Sequence, residues 1–362
     1  MDKFERVQAA IKGENVDKIP ASVWMHYSLI DQDVEKLAET QVAAAEAYDY
    51  DFIKLMPYGL YGVKDYGAKI QYFNEVNRPP VVTEYAVENG KDWADLEILS
   101  PYKGEYGKTL ELAERVGKLT RGSIPFIQTI FSPLTTARKL AGDRILTDIK
   151  EHPEEFKAGL QAITDTTIAF VKANIEAGVS GFFFATQCAN YDYMTEEQYK
   201  EFGIAYDLQV VNAYKDKTFF NVGHLHGANG MFALYSSLPF NVINWHDTWG
   251  GPSMAEARKI TDKCLLGGVR EIGFYDEKGQ LLRPSLLTSG TQKEIIEAIK
   301  AATVDQVGAK GVMFGPGCVA EQLAVPAGLS AVSKASRNLV QSAQVIYIKD
   351  YPAEEKREKT VI

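Results

Sequence analysis

Short apolar runs recur along this chain, each followed by a longer stretch with helical periodicity, almost to its end. That alternation demands parallel strands joined by crossover helices. The runs are IPASVWMH (19–26), FIKLMP (52–57), PFIQTIFS (125–132), GFFFATQ (181–187), TFFNVGHLHG (218–227), NVINWHD (241–247), CLLGGVR (264–270) and GVMFGPGC (311–318). Between them, a helix is expected from Asp33 to about Tyr50, with Asp33 as its N-cap and Val34, Leu37 and Ala38 opening an apolar face. Further helical patterns cover 153–178 and 291–308, both closed by glycine. Eight strands with intervening helices fit a closed (β/α)8 TIM barrel. An open doubly wound sheet would carry a glycine-rich phosphate loop after its first strand, and the chain has MHYSLIDQD there.

One stretch exceeds the simple repeat. Residues 59–123 are too long for one loop and read as an insertion over the barrel mouth. Within it, 67–82 suggests a hairpin or flap and 108–119 the crossover helix. The organisation expected is one domain, 1–350, followed by a charged tail, 351–362.

Composition narrows the partners. The net charge of −9 over 362 residues disfavours nucleic acid and anionic membranes, which require a basic face. No apolar run approaches the length of a membrane span. The first residues, MDKFERVQAAIKGENVDK, are charged and amphipathic, without the apolar core of a signal peptide. Three cysteines at wide spacing form no disulfide framework. Together these point to the cytoplasm.

In such a barrel the site lies where the strands end. Those ends carry Trp24, His26 and Tyr27; Lys54 and Tyr58; Gln128; Gln187 and Tyr191; His224 and His226; Asn244, His246 and Asp247; and Cys318. Four of the five histidines fall there. The fifth, His152, precedes a proline and is expected exposed at a helix start. In His224-Leu225-His226-Gly227 the two imidazoles are at i and i+2 of a strand, so they share a face. Neutral imidazoles suit zinc, and Cys318, after Gly315-Pro316-Gly317, supplies a third ligand if the fifth and eighth strands open to one mouth. The plain alternative is two hydrogen-bonded histidines and a buried free cysteine. His26, Tyr27 and His246 are candidates for proton transfer. Trp24, Tyr58, Gln128, Gln187, Tyr191, Asn244 and Asp247 are candidates for substrate contact. Lys54 reads as a barrel-interior ion-pair partner, and Cys264 as a packing residue.

The segments IPASVWMHY, DFIKLMPYG, IQTIFSPL, NVGHLHG, VINWHD and FGPGC resemble the uroporphyrinogen decarboxylase superfamily, over about residues 3–345. That superfamily includes zinc-dependent methylcobamide:thiol methyltransferases. Its true decarboxylases carry an arginine-rich loop after the first strand and an aspartate after the second. This chain has Trp24-Met25-His26-Tyr27 and Pro57-Tyr58 in those places, so a tetrapyrrole polycarboxylate would lose both anchors. The methyltransferase branch carries His-x-Cys and a Pro-Gly-Cys turn. His224 and Cys318 match these, and His226 replaces a cysteine. An imidazole in place of a thiolate raises the site's net charge by one unit.

The resemblance implies zinc-dependent methyl transfer between a small methylated substrate or a corrinoid, carried on a partner protein, and an acceptor. A metal-dependent lyase or hydrolase acting on a small carboxylate or cyclic compound is the alternative enzyme class. A ligand-sensing barrel is a third.

Overall fold

The computed structural model describes residues 1–349 of the chain; the expected charged tail, 351–362, lies outside the described residues. Seven parallel strands form one curled sheet: β1 (Ile53–Lys54), β2 (Phe126–Phe131), β3 (Gly181–Thr186), β4 (Phe220–Leu225), β5 (Val242–Trp245), β6 (Cys264–Val269) and β7 (Val312–Pro316). Their order in the sheet is their order in the chain. That is the pattern of a barrel rather than of a doubly wound sheet.

The eighth position is filled by residues 20–25, without a continuous ladder. On one side Phe314 N donates to Pro20 O (2.8 Å) and Ser22 N to Phe314 O (3.0 Å). On the other, Asp51 N donates to Ala21 O (2.8 Å). The segment therefore bridges β7 and β1 and closes the barrel. It differs from the strand expected over 19–26 for two reasons. Pro20 has no N–H to give, and Ala21 N donates to the Asp51 carboxylate (2.9 Å) instead of to a carbonyl. Asp51 is fully buried and also takes Arg6 Nη1 (2.8 Å) and Lys18 Nζ (3.3 Å). This network sits at the N-terminal ends of the strands, the face that carries stability in such barrels.

Local chemistry sets the helix ends. Helix α1 (Lys3–Ile11) starts at a capping box of Asp2 and Glu5. Asp33 caps α2 (Val34–Ala47) by accepting from Lys36 N. Between β1 and β2 lie an antiparallel hairpin, Lys69–Gln71 against Val81–Glu84, and the crossover helix α3 (Gly104–Thr120). Asn77 of the hairpin accepts from Gln322 N (2.6 Å), which ties it to the loop after β7. Helices α4 (Pro133–Ala141) and α5 (Pro153–Glu176) both begin on a proline, whose missing N–H costs nothing there. His152, expected exposed, is partly buried against Gly90, where an added Cβ would meet its ring at 2.1 Å. The 291–308 pattern is two helices, Gln292–Ala302 and Val304–Val307, broken at Thr303. The sequence reading did not anticipate a second hairpin, Phe274–Tyr275 with Leu281–Arg283, in the loop after β6. Among the described residues no helix is long and apolar enough to cross a membrane.

Candidate metal centre

Strand parity builds the site. Within β4, His224 points inward, and the parallel register pairs it with Asn244 of β5. Two residues on, His226 and His246 leave the ends of these strands on the same side. Cys318 follows β7. One donor atom from each of His224, His226, His246 and Cys318 can be chosen so that all four lie within 4.8 Å of one another. His226 Nδ1 is 3.4 Å from His246 Nε2 and 3.5 Å from Cys318 Sγ. His246, expected as a proton-transfer group, thus stands beside the other three as a fourth possible donor.

Hydrogen bonds fix which nitrogens are free. Asn244 Nδ2 donates to Leu266 O (2.8 Å) and Pro316 O (3.1 Å), so its Oδ1 faces His224 Nδ1 at 2.7 Å. An amide oxygen only accepts, so His224 carries its proton on Nδ1 and presents the Nε2 lone pair. His246 Nδ1 lies 2.6 Å from Glu271 Oε1, a carboxylate buried to 1 % exposure that also accepts from Trp249 Nε1 (2.9 Å). By the same logic His246 presents Nε2. Such outer partners orient metal-binding imidazoles and raise their basicity. The ring of Phe183 stacks on His224 with centroids 5.0 Å apart. Gly317 lets the Cys318 turn approach. A Cβ there would sit 2.8 Å from Trp245 O and 3.1 Å from Glu271 Oε2.

Electrostatics suit a cation. Burial, with the neighbouring histidines, holds His224 well below its ordinary value and His226 at about 4, so both are neutral near pH 7. Burial pushes the Cys318 thiol up to about 12; nearby Glu271 adds to this and Lys54 opposes it. A soft dication displaces that proton readily, since thiolate is the binding form. Three imidazole nitrogens and one thiolate are donors of the types, and in the number, that tetrahedral zinc takes. The residues fit the ion.

Beside these ligands a cavity of about 300 Å³ opens at the mouth. Trp24, His26 and Gln187 line it, together with Phe131 and Phe183. Lys54 and Lys139 also face it. The expected ion pair of Lys54 is absent among the described residues: its Nζ donates to Met56 Sδ (2.7 Å) and sits 4.4 Å from the Phe183 ring centroid. Burial lowers Lys54 to about 7 and moves the partly enclosed Lys139 in the same direction. Burial, then the charges of Lys54 and Lys139, hold His26 at about 4.

Five other candidates lie apart from this cavity. Tyr27, one residue beyond His26 in an extended segment, turns to a separate hollow shared with Gln41 and Tyr50. Tyr58 accepts from Tyr72 OH (3.3 Å) and anchors the first hairpin. Gln128 points outward, since its neighbour Thr129 takes the inward position; its Nε2 donates to Asn174 Oδ1 (2.9 Å) and Thr109 O (3.2 Å) between α3 and α5. Tyr191 is exposed and donates to Glu196 (2.6 Å). Asp247 turns away from the ligands to accept from Gly268 N (2.9 Å), and burial raises it to about 8. Asn244 is inside, but it serves His224 rather than the cavity.

Sequence reasoning passed over Glu271 and Lys139. Glu271 directly follows the run 264–270, the one strand end for which no polar residue was considered. Lys139 is brought in by α4, a helix rather than a strand end.

The uroporphyrinogen decarboxylase (URO-D) family model matches residues 2–339. The chain belongs to that family. Over 354 residues it is 22% identical to the methylcobamide:CoM methyltransferase MtbA of Methanosarcina acetivorans, covering 92% of this chain and 97% of the relative. The Methanosarcina mazei MtbA is equally similar, 22% over 354 residues with the same coverage. Among solved structures, a methyltransferase from Methanosarcina mazei superposes with a TM-score of 0.77 at 18% identity, covering 93% of this chain and 98% of the other. At that identity the superposition speaks for the fold.

Proposed function

We propose that this family member is a zinc-dependent methyltransferase that moves a methyl group between a corrinoid on a partner protein and a small acceptor. The observation that carries the reading is the convergence of His224, His226, His246 and Cys318 donors, three of which line the cavity at the barrel mouth. The methylcobamide:CoM methyltransferases that resemble the chain over nearly its whole length support the same reading.

Zinc, when bound, supplies a Lewis acid that keeps a substrate thiol deprotonated near neutral pH. The chain does the rest. Asn244 and Glu271 hold the His224 and His246 rings so that each offers Nε2. His224, His226, His246 and Cys318 would hold the ion through three nitrogens and one sulfur. Trp24, Phe131 and Phe183 exclude water from the apolar wall, which strengthens every charge interaction inside. His26, neutral near pH 7, accepts a proton at a ring nitrogen when an acceptor thiol sheds it, and Gln187 hydrogen-bonds the substrate. Tyr27, Tyr58, Gln128, Tyr191 and Asp247 have no part in this proposal.

The test is methyl transfer between methylcobalamin and a panel of thiols, using zinc-loaded protein, in both directions. Turnover lost in His224→Ala and Cys318→Ala supports the reading. No turnover in either direction, with free methylcobalamin or with a corrinoid protein, refutes it.

A further inference from the structure

A buried chain of hydroxyls lies under the exit of β3, outside the lining of the cavity. Residues Glu196–Tyr199 and Ala205–Tyr214 are α-helical, and the turn between them, Lys200–Ile204, is a π-helix. Such widened turns are rare and are frequently found at functional positions. This one makes room for Tyr199: a Cβ on Gly203 would meet its ring at 2.4 Å. The Tyr199 hydroxyl donates to Asp207 Oδ2 (2.7 Å), so its other neighbour, Thr186 Oγ1 at 3.2 Å, donates to it. Thr186 Oγ1 in turn accepts from Cys188 N (3.4 Å). Ser132, Thr186, Tyr199 and Asp207 are all fully buried. Ser132 Oγ stands beside the carboxyl, yet neither it nor Asp207 Oδ1 has a hydrogen-bond partner among the described residues. A proton on Oδ1 supplies the missing donor.

Burial pushes the Asp207 carboxyl up to about 7, against the opposing pull of the Tyr199 and Ser132 hydroxyls. The titratable groups that face it are Tyr199 and Tyr214 of the same helical stretch, Tyr235 after β4 and Cys188 after β3. Arg138 and Lys139 of α4 act on Cys188. The β3 exit also carries the loop after β4. Thr186 O accepts from His226 N (3.0 Å), Ala189 O from Met231 N (2.9 Å), and Asn229 O from Tyr191 N (3.1 Å).

We propose that Asp207, Tyr199 and Thr186 form a proton-operated latch: the neutral Asp207 carboxyl holds the β3 exit, from which the His226 backbone hangs, and ionisation loosens it. Asp207 and Tyr199 are thus positioning residues for His226. The consequence for the metal rests on the zinc reading; the latch itself does not. An opening that brings water to Asp207 returns its carboxyl towards 3.8. The closed form therefore binds the extra proton between 3.8 and about 7, so opening becomes easier as pH rises through that window and levels off above it.

The test is amide hydrogen exchange of the full-length protein, read by mass spectrometry from pH 5 to 8 and corrected for the intrinsic rate at each pH. Protection of 186–191, 196–214 and 225–231 should fall by up to about tenfold per pH unit up to pH 7 and then stay level. Asp207→Asn keeps an acceptor for Tyr199 and gives Ser132 a donor without ever ionising, so its profile should be flat. Tyr199→Phe keeps the ring over Gly203 and cuts the chain, so 186–191 and 225–231 should lose their slope while 196–214 keeps it. A flat wild-type profile overturns the latch without any variant. So does a slope that survives Asp207→Asn, or one that Tyr199→Phe leaves unchanged at 186–191 and 225–231. Exchange contains no methyl-transfer step, so the two readings fail separately. A flat profile removes the latch alone; absent turnover with a sloped profile removes the transfer reading alone.

Discussion

Glu271→Ala probes how the metal site is held. Glu271 Oε1 accepts from both His246 Nδ1 (2.6 Å) and Trp249 Nε1 (2.9 Å), with the carboxylate buried. Alanine leaves both donors buried and unpaired and frees His246 to turn or to change tautomer. Loss of such an outer partner weakens metal binding about 10- to 100-fold, or roughly 1.4–2.7 kcal/mol. Zinc competition against a chromophoric chelator measures it. Glu271→Gln keeps an acceptor without the charge and should fall between wild type and alanine. The decisive control is the pair Glu271→Ala with His246→Ala. If Glu271 acts through His246, the double variant binds zinc as His246→Ala does. Wild-type zinc affinity in Glu271→Ala, or fully additive losses in the double variant, would refute the reasoning.

Two pH dependences follow from the same geometry. Because burial holds the Cys318 thiol at about 12 and His226 at about 4, zinc binding should release about one proton above neutral pH. Apparent affinity then rises about tenfold per pH unit between pH 7 and 9 in wild type, and calorimetry in buffers of different ionisation enthalpy counts the proton. A pH-independent affinity in wild type contradicts this. Lys54 is lowered from 10.5 to about 7 in the folded chain. The unfolded chain therefore binds the extra proton between those values, and folding stability rises with pH across that window. Below pH 7 the full cost applies, on the order of 5 kcal/mol. Lys54→Met should therefore melt higher than wild type at pH 6 and converge with it towards pH 10; a lower melting temperature for the variant at pH 6 would count against a buried, uncompensated cation.

The barrel was legible because strand and crossover helix leave different periodicities in the sequence, and seven of the expected strands appear within a few residues of their predicted ends. The closing segment was harder. Its apolar residues read as a strand, but Pro20 and the Asp51 carboxylate divert its backbone from a regular ladder. The i, i+2 spacing of His224 and His226 carried the metal site. It could not show that β4 and β5 run in a register that pairs His224 with Asn244, which is what brings His246 to the same centre. Gln128 was misplaced by one step of parity: strand ends were read as polar positions without asking which side each faced. Glu271 was hidden because its role depends on a hydrogen bond across two loops. Lys54 was read for its type, when its meaning lies in the carboxylate that is absent around it.

X-ray absorption at the zinc K edge of the loaded protein tests the centre most directly. Three nitrogen scatterers at about 2.0–2.1 Å and one sulfur at about 2.3 Å are the expected shell, with the sulfur lost in Cys318→Ala. A shell of light atoms alone, or one unchanged by that substitution, would show that the four side chains do not share one ion.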